Sequence, residues 1–141
     1  MVSPVTEQLT QALPLLAVGA GQTLAISLLA ILFATLGGVG YGVLAQQGGR
    51  LVRGLLQVYL ELFRVVPVLV WLYLFFFGLP IFFGLDIPAF WCAVLVLALW
   101  GASEVGEVVR GGLKSLARGQ QEAGLALGLS RWQLYRHVLL P

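Results

Sequence analysis

The sequence predicts an all-α fold, a polytopic bundle of transmembrane helices followed by a cytoplasmic helix–turn–helix. Of the 141 residues, 60% are hydrophobic and only 10% are charged, whereas soluble domains carry about 25% charged residues. Several apolar segments are long enough to cross a hydrocarbon core of about 30 Å. We therefore expect a single membrane domain over residues 1–141, with spans near 21–45, 54–77 and 89–109 and a cytoplasmic segment over 110–141.

Composition and motif content argue against several classes of function. The net charge is only +2, and the basic residues form no cluster suited to a nucleic-acid-binding face. The single cysteine, Cys92, excludes an internal disulfide, and His137 has no metal-binding side chain at ligand spacing. The sequence contains neither a Walker-type phosphate loop nor a hydrolase triad pattern. We expect no metal, no cofactor and no catalytic activity in the chain itself.

The first span, residues 21–45, contains no charged residue. Within it Ala30, Ala34, Gly38 and Gly42 recur every four residues and so share one helix face. Such a ridge of small side chains lets a second helix approach closely, which predicts a protein of several helices. The alternative is that these residues reflect only the general frequency of glycine in membrane helices.

The second span, near 54–77, is interrupted by Glu61, Arg64 and Pro67. Two interpretations stay open. Its first half could be an interfacial helix that enters the bilayer near Arg64, or the whole segment could be one long helix kinked by Pro67. We expect Gly78–Pro80 to end this span, since glycine and proline are strong helix breakers.

The third span begins near Ala89 and acquires charged residues at its far end. Glu104, Glu107 and Arg110 follow one another at intervals of three residues, so they share one broad helix face that should turn away from lipid. For Glu107 and Arg110 we favour a structural ion pair or side chains that reach toward the membrane surface.

The distribution of basic residues predicts the orientation. Seven of the eight Lys and Arg residues lie at 50–53 or 110–136. Under the positive-inside rule the turn at 46–53 and the C-terminal segment are cytoplasmic. The N-terminus and the loop at 78–88 are then outside.

Residues 119–141 contain a motif of high specificity. The motif has Glu-Ala-Gly, then three residues, glycine, nine residues, and Val-Leu-Leu-Pro. This pattern resembles the cytoplasmic loop of binding-protein-dependent ABC importer permeases, in which E-A-A is followed by glycine and I-x-L-P at the same spacing. The resemblance implies that this loop docks on an ATPase subunit. Its coupling residues would be Glu122, Ala123, Gly124, Gly128, Val138, Leu140 and Pro141.

Two further runs resemble the polar amino-acid branch of that family. One covers 106–120 and includes R-G-G-L-K-S-L followed by G-Q, and the other covers 61–80 and includes E-L-F-R, a proline and F-G-L-P. The chain departs from the branch at Val65 and Val66, which replace Gly-Thr, and at Trp71, which replaces the usual Gln.

The resemblance implies an incomplete ABC importer permease fold in a bacterial inner membrane. The implied partners are an ATP-binding-cassette ATPase subunit, an extracytoplasmic solute-binding protein and a second permease subunit, and the implied substrate is a polar amino acid. Family members have about five membrane helices, two of them after the docking loop, so we expect the chain to be truncated at its C-terminus. The alternatives are a membrane scaffold without transport or a pore-forming subunit.

Ionisable residues at membrane depth are candidates for function. Arg64 would meet the carboxylate of an amino-acid substrate and Glu104 would meet its ammonium group. The alternative is a structural ion pair between two helices.

The chemistry of the docking loop predicts two short helices joined by a turn. Glu122 near a helix start would favour the positive end of the helix dipole. Gly128 would let that helix end or approach its partner closely, and Ser130 would cap the next one. The residues expected to anchor the second helix on the membrane body are Trp132, Leu134, Tyr135 and Val138.

Overall fold

The computed structural model describes residues 4–115 and 118–139, and all the regular secondary structure in those ranges is helical. The all-α prediction is confirmed. The helices are α1 (Pro4–Gln47), α2 (Arg50–Val65), α3 (Val68–Tyr73), α4 (Leu79–Phe83), α5 (Ala89–Ser115), α6 (Arg118–Ala126) and α7 (Arg131–Leu134). Two π-helical turns, Leu74–Gly78 and Tyr135–Leu139, continue α3 and α7.

The small-residue ridge of α1 packs directly on α5. A Cβ added at Gly38 would lie 2.6 Å from the Cβ of Val105, and one added at Gly42 would lie 2.7 Å from the Cβ of Val109. The two alanines of the ridge are also buried. The prediction of close helix packing is therefore confirmed, since only glycine leaves room for these valines.

The helices α1 and α5 run parallel. Residues later in α1 contact residues later in α5. Ala34 lies against Gly101 near the middle of the pair. Farther along, the side-chain amide of Gln46 donates a hydrogen bond to the carbonyl oxygen of Arg110, at 3.3 Å. Both helices are long and apolar enough to cross a membrane. Residues 48–88 must therefore return the chain to the opposite end of this pair.

The returning segment is broken at Pro67. Val66 has extended backbone angles (φ −85°, ψ 124°), as expected for a residue that precedes proline. The helical segments on either side, Arg50–Val65 and Val68–Phe83, meet at an angle of 102° and together are apolar enough for one broken span. A single helix kinked at Pro67 does not describe this bend. The structure is closer to the other interpretation, in which the first half is a separate helix.

The expectation that Gly78–Pro80 ends this segment is wrong. The helix continues through Gly78 into α4, in whose first turn Pro80 lies. A proline is tolerated there because its missing N–H has no partner to lose. The segment ends instead at Gly84, which takes a left-handed conformation (φ 65°) that favours glycine.

Both long helices extend beyond their predicted spans. The first begins at Pro4 rather than near residue 21, and the third continues from residue 109 to Ser115. The last turns of α5 are not free, since Leu113 is buried against the segment that follows. Packing at Leu113 thus supports a helix that continues through Gly111 and Gly112.

We predict that Gly38→Ala destabilises the protein whereas Gly40→Ala does not. The added methyl group at residue 38 would collide with α5, and overpacking of this kind costs about 1–3 kcal/mol. A Cβ at Gly40, on the same helix, meets nothing within 4 Å and should gain about 1 kcal/mol from helix propensity. Thermal unfolding of both variants in detergent measures the difference. Equal melting temperatures would contradict the packing described here.

Candidate functional site

The predicted docking loop is a helical hairpin whose turn centres on Gly128. Gly128 has a positive φ of 78° and donates its N–H to the carbonyl oxygen of Leu125, at 3.0 Å. The N–H of Leu129 reaches the carbonyl oxygen of Gly124, at 3.2 Å. These bonds satisfy carbonyl groups that the end of α6 would leave unpaired. The prediction that Gly128 ends the first helix is confirmed.

The second helix of the hairpin starts with a reciprocal cap. The N–H of Gln133 donates to the hydroxyl oxygen of Ser130, at 3.3 Å, and the N–H of Ser130 donates to the side-chain oxygen of Gln133, at 2.9 Å. This is a capping box. Ser130 is confirmed as the N-cap. Gln133 was not identified from the sequence, although its position three residues after a serine is the signal for this motif.

The expectation that Glu122 lies at a helix start is wrong. The helix α6 already includes Arg118, so Glu122 falls in its second turn and no acidic residue lies in the first turn. Glu122 and Ala123 are both exposed on the hairpin surface. A dipole contact at the N-terminus therefore does not explain the acidic residue of the motif.

One leucine holds the hairpin on the membrane helices. Leu134 is only 3% exposed and forms a cluster with Leu113, against which Val43 and Val109 also pack. Gly124 provides the space, because a Cβ at that position would collide with the end of the Leu134 side chain. The expected anchoring role of Leu134 is confirmed, and Gly124 is the residue of the motif that makes room for it.

The other side of the hairpin is exposed and apolar. Trp132 is 66% exposed, Leu127 is 82% exposed and Val138 is also exposed. The expectation that Trp132 and Val138 anchor the hairpin is therefore wrong, because among the described side chains of the second helix Leu134 is the one that is buried. The side chain of Tyr135 and residues Leu140 and Pro141, to which the sequence also assigned roles, lie outside the described part of the chain.

The two candidate charges at membrane depth lie side by side. The Nε atom of Arg64 on α2 is 3.0 Å from Oε1 of Glu104 on α5. Their side chains are 44% and 41% exposed, so the pair lies at an open edge of the bundle. The geometry corresponds to the inter-helix ion pair that the sequence left open as an alternative. Within α5, Glu107 and Arg110 form a second pair, with Nε to Oε2 at 2.8 Å.

A column of aromatic rings joins three helices beside these charges. Tyr41 of α1 is 6.0 Å from Tyr59 of α2, measured between ring centroids, and Tyr59 is 5.0 Å from Phe63. Phe63 stacks on Trp71 of α3 at 4.5 Å, across the bend at Pro67. This column was not predicted. The local signal is an aromatic pair four residues apart on α2, but no local pattern identifies its partners on other helices.

The fold and the hairpin define a class of protein: a multi-helix membrane protein that presents a rigid helical hairpin at one end of its bundle. Residues 38–141 match the family model described as binding-protein-dependent transport system inner membrane component. The chain belongs to this family.

Its similar relatives are permease proteins for amino acids. It is 37% identical over 131 residues to the glutamine transport system permease protein GlnP of Escherichia coli K12, with 92% of this chain covered. It is 37% identical to the glutamate/aspartate import permease protein GltJ of the same organism, with 84% of this chain and 53% of GltJ covered. A crystal structure of an amino acid ABC transporter with histidines superposes with a TM-score of 0.79 at 30% identity, covering 95% of this chain. The chain spans 60% of GlnP and 62% of the crystallised chain.

We predict that Leu134→Ala releases the hairpin from the membrane helices. Loss of a buried leucine side chain costs about 2–5 kcal/mol, and Leu134 is buried in the cluster that joins the hairpin to the membrane helices. Hydrogen exchange of the backbone amides in 118–139 should accelerate at least tenfold. Leu127→Ala removes the same atoms from an exposed position and serves as the matched control. Equal exchange in both variants would refute the anchoring role.

We predict that reversing both charges of the Arg64–Glu104 pair restores stability that either single reversal removes. A single Arg64→Glu or Glu104→Arg change places two like charges together. Because the two side chains are in direct contact, the coupling in a double-mutant cycle should be about 0.5–3 kcal/mol. Thermal unfolding of the four proteins measures it. A coupling of zero would show that the two residues do not interact.

Proposed function

We propose that the chain forms part of the membrane-spanning permease of an ATP-binding-cassette importer for polar amino acids. It contributes helices to the translocation pathway and couples them to an ATPase subunit through the hairpin of α6 and α7. ATP hydrolysis belongs to that ATPase subunit, so the chain itself is not an enzyme. An extracytoplasmic solute-binding protein delivers the amino acid, and a second permease subunit, identical or different, completes the pathway.

The hairpin is the observation that carries this proposal. A coupling element must be stiff, must be attached to the moving helices and must present a free surface to its partner. The hairpin has a turn fixed by Gly128 and a capping box at Ser130. It attaches through Leu134 and exposes Trp132 and Leu127. The coupling set therefore comprises surface residues for docking, such as Glu122, Ala123 and Val138, and inner residues for attachment, such as Gly124.

The proposed substrate class rests on the relatives. Their names specify glutamine and glutamate/aspartate, which are polar amino acids. The Arg64–Glu104 pair suits such a solute chemically. When the ion pair opens, the guanidinium can bind the carboxylate of a zwitterion and the carboxylate can bind its ammonium group. We therefore keep both residues as candidates for the substrate pathway.

The proposed orientation places the N-terminus outside and the hairpin in the cytoplasm. Parallel packing brings the C-terminal ends of α1 and α5 together, as the bond between Gln46 and Arg110 shows. At this end of the bundle Arg50 and Arg53 lie in the first turn of α2, and Lys114 lies in the last turn of α5. The positive-inside rule assigns an end with this many basic residues to the cytoplasm.

We predict that Gly128→Ala weakens binding of an ATP-binding-cassette subunit, whereas Gly119→Ala does not. An alanine at the positive φ of residue 128 costs about 1–2 kcal/mol, which the hairpin relieves by changing its turn. Binding should fall about 5- to 30-fold. Gly119 has no positive φ, and a Cβ there meets nothing within 4 Å, so it controls for the added methyl group.

The measurement is co-purification with the ATPase subunit of a polar amino-acid importer from the same genome, followed by titration of the purified pair. Unchanged binding by the Gly128 variant would contradict docking through the hairpin. If the unmodified chain binds no such ATPase, the proposed function is wrong.

A further inference from the structure

A polar cavity of about 470 Å³ opens where the C-terminal end of α1 meets α2 and α5. It is separate from the exposed surface of the hairpin and from the Arg64–Glu104 pair. Its volume falls within the range of ligand-binding pockets, about 300–1,000 Å³. Besides Tyr41, the polar side chains that line it are Gln46, Arg53, Gln57, Glu107, Arg110 and Lys114.

The cavity has an excess of positive charge. Three of its lining residues are basic and one is acidic, and that acid, Glu107, is already paired with Arg110. Arg53 on α2 and Lys114 on α5 form no ion pair within the part of the chain that the structure describes. Two positive charges from different helices thus face one concave space whose acidic lining residue is already paired with Arg110.

Part of this lining is held in place before any ligand binds. The guanidinium of Arg53 donates to the carbonyl oxygen of Gly48, at 3.4 Å. The amide group of Gln46 donates to the carbonyl oxygen of Arg110, at 3.3 Å. Side chains that are already restrained lose less entropy when a ligand binds.

The helix α2 places the cavity at the depth of lipid headgroups. Arg53 and Gln57, which line the cavity, lie on one face of this helix. The opposite face carries the exposed apolar side chains Leu51, Leu55, Val58 and Leu62. A helix with one apolar face and one polar face of this kind lies in the plane of a membrane surface. Its polar face, and with it the cavity, then lies beside the phosphates of the adjacent leaflet.

We propose that this cavity binds the phosphate group of an anionic phospholipid, with Arg53 and Lys114 as the principal ligands. Basic pockets between membrane helices on the cytoplasmic side suit such headgroups. A zwitterionic amino acid is a poorer ligand, because the one carboxylate in the cavity is engaged by Arg110 and leaves no partner for an ammonium group. The inference uses the proposed orientation but does not depend on ATPase coupling.

The test measures thermal unfolding of the chain in nanodiscs that contain either phosphatidylcholine alone or phosphatidylcholine with phosphatidylglycerol. Phosphatidylglycerol should raise the melting temperature of the unmodified chain. The double variant Arg53→Gln/Lys114→Gln should lose most of that rise. Loss of two direct contacts to one phosphate, each giving about a five- to sixfold gain in affinity, should weaken lipid binding about 30-fold in native mass spectrometry.

Two further variants keep this test specific. Arg50→Gln/Arg136→Gln removes the same net charge outside the cavity and should retain the response to phosphatidylglycerol. Arg53→Lys/Lys114→Arg keeps both charges and should also retain it, which separates loss of the ligands from misfolding. If the Arg50/Arg136 variant loses as much response as the cavity variant, general surface attraction explains the effect and the site is refuted.

The source of the phosphate is tested in a third arm. Inorganic phosphate or glycerol 3-phosphate is added to the chain in phosphatidylcholine nanodiscs. We expect no stabilisation at millimolar concentration, because a soluble ion gains nothing from the adjacent acyl chains. Stabilisation equal to that by phosphatidylglycerol would overturn the assignment to lipid in favour of a soluble phosphate ligand. No response to any of these anions would overturn the proposal entirely.

Discussion

The close approach of α1 and α5 is the constraint on which the rest of the structure depends. Gly38 and Gly42 let the valines of α5 reach the backbone of α1, and the two helices keep this contact while running parallel. Because the pair is parallel, the intervening chain must return to the opposite end of the pair. The broken segment around Pro67 makes this return. Membrane helices gain little from burying apolar surface against one another, so packing of this closeness supplies much of the stability.

The hairpin packs on the end of the same α1–α5 interface. Leu134 and Leu113 form one cluster, against which Val43 of α1 and Val109 of α5 pack. Any change in the distance between these helices therefore changes the surface on which the hairpin rests. Movement can pass in either direction through this contact, which is the property that a coupling element needs. The aromatic column from Tyr41 to Trp71 links α1 to the segment beyond the bend.

Features that depend on local chemistry could be predicted from the sequence, and features that depend on distant partners could not. The ridge on α1, the turn at Gly128 and the cap at Ser130 each follow from residues of one short stretch of sequence. Helix ends were less predictable, because packing of Leu113 outweighs the glycines before it. The cavity was missed altogether, since Arg53 and Lys114 are 61 residues apart in the chain and meet only through the packing of α2 on α5.

The sequence separation within these contacts has a consequence for biogenesis. The ribosome synthesises α1 and residues 48–88 before α5 exists, so the glycine ridge must first face lipid alone. Its span is apolar enough, with a mean hydropathy of 2.1, to remain inserted without a partner. The charge of Arg64 is less favourable in lipid at this stage, because Glu104, whose carboxylate neutralises it, is synthesised 40 residues later. Insertion of the second segment should therefore lag until α5 emerges from the translocon. The ion pair would then form as that insertion is completed.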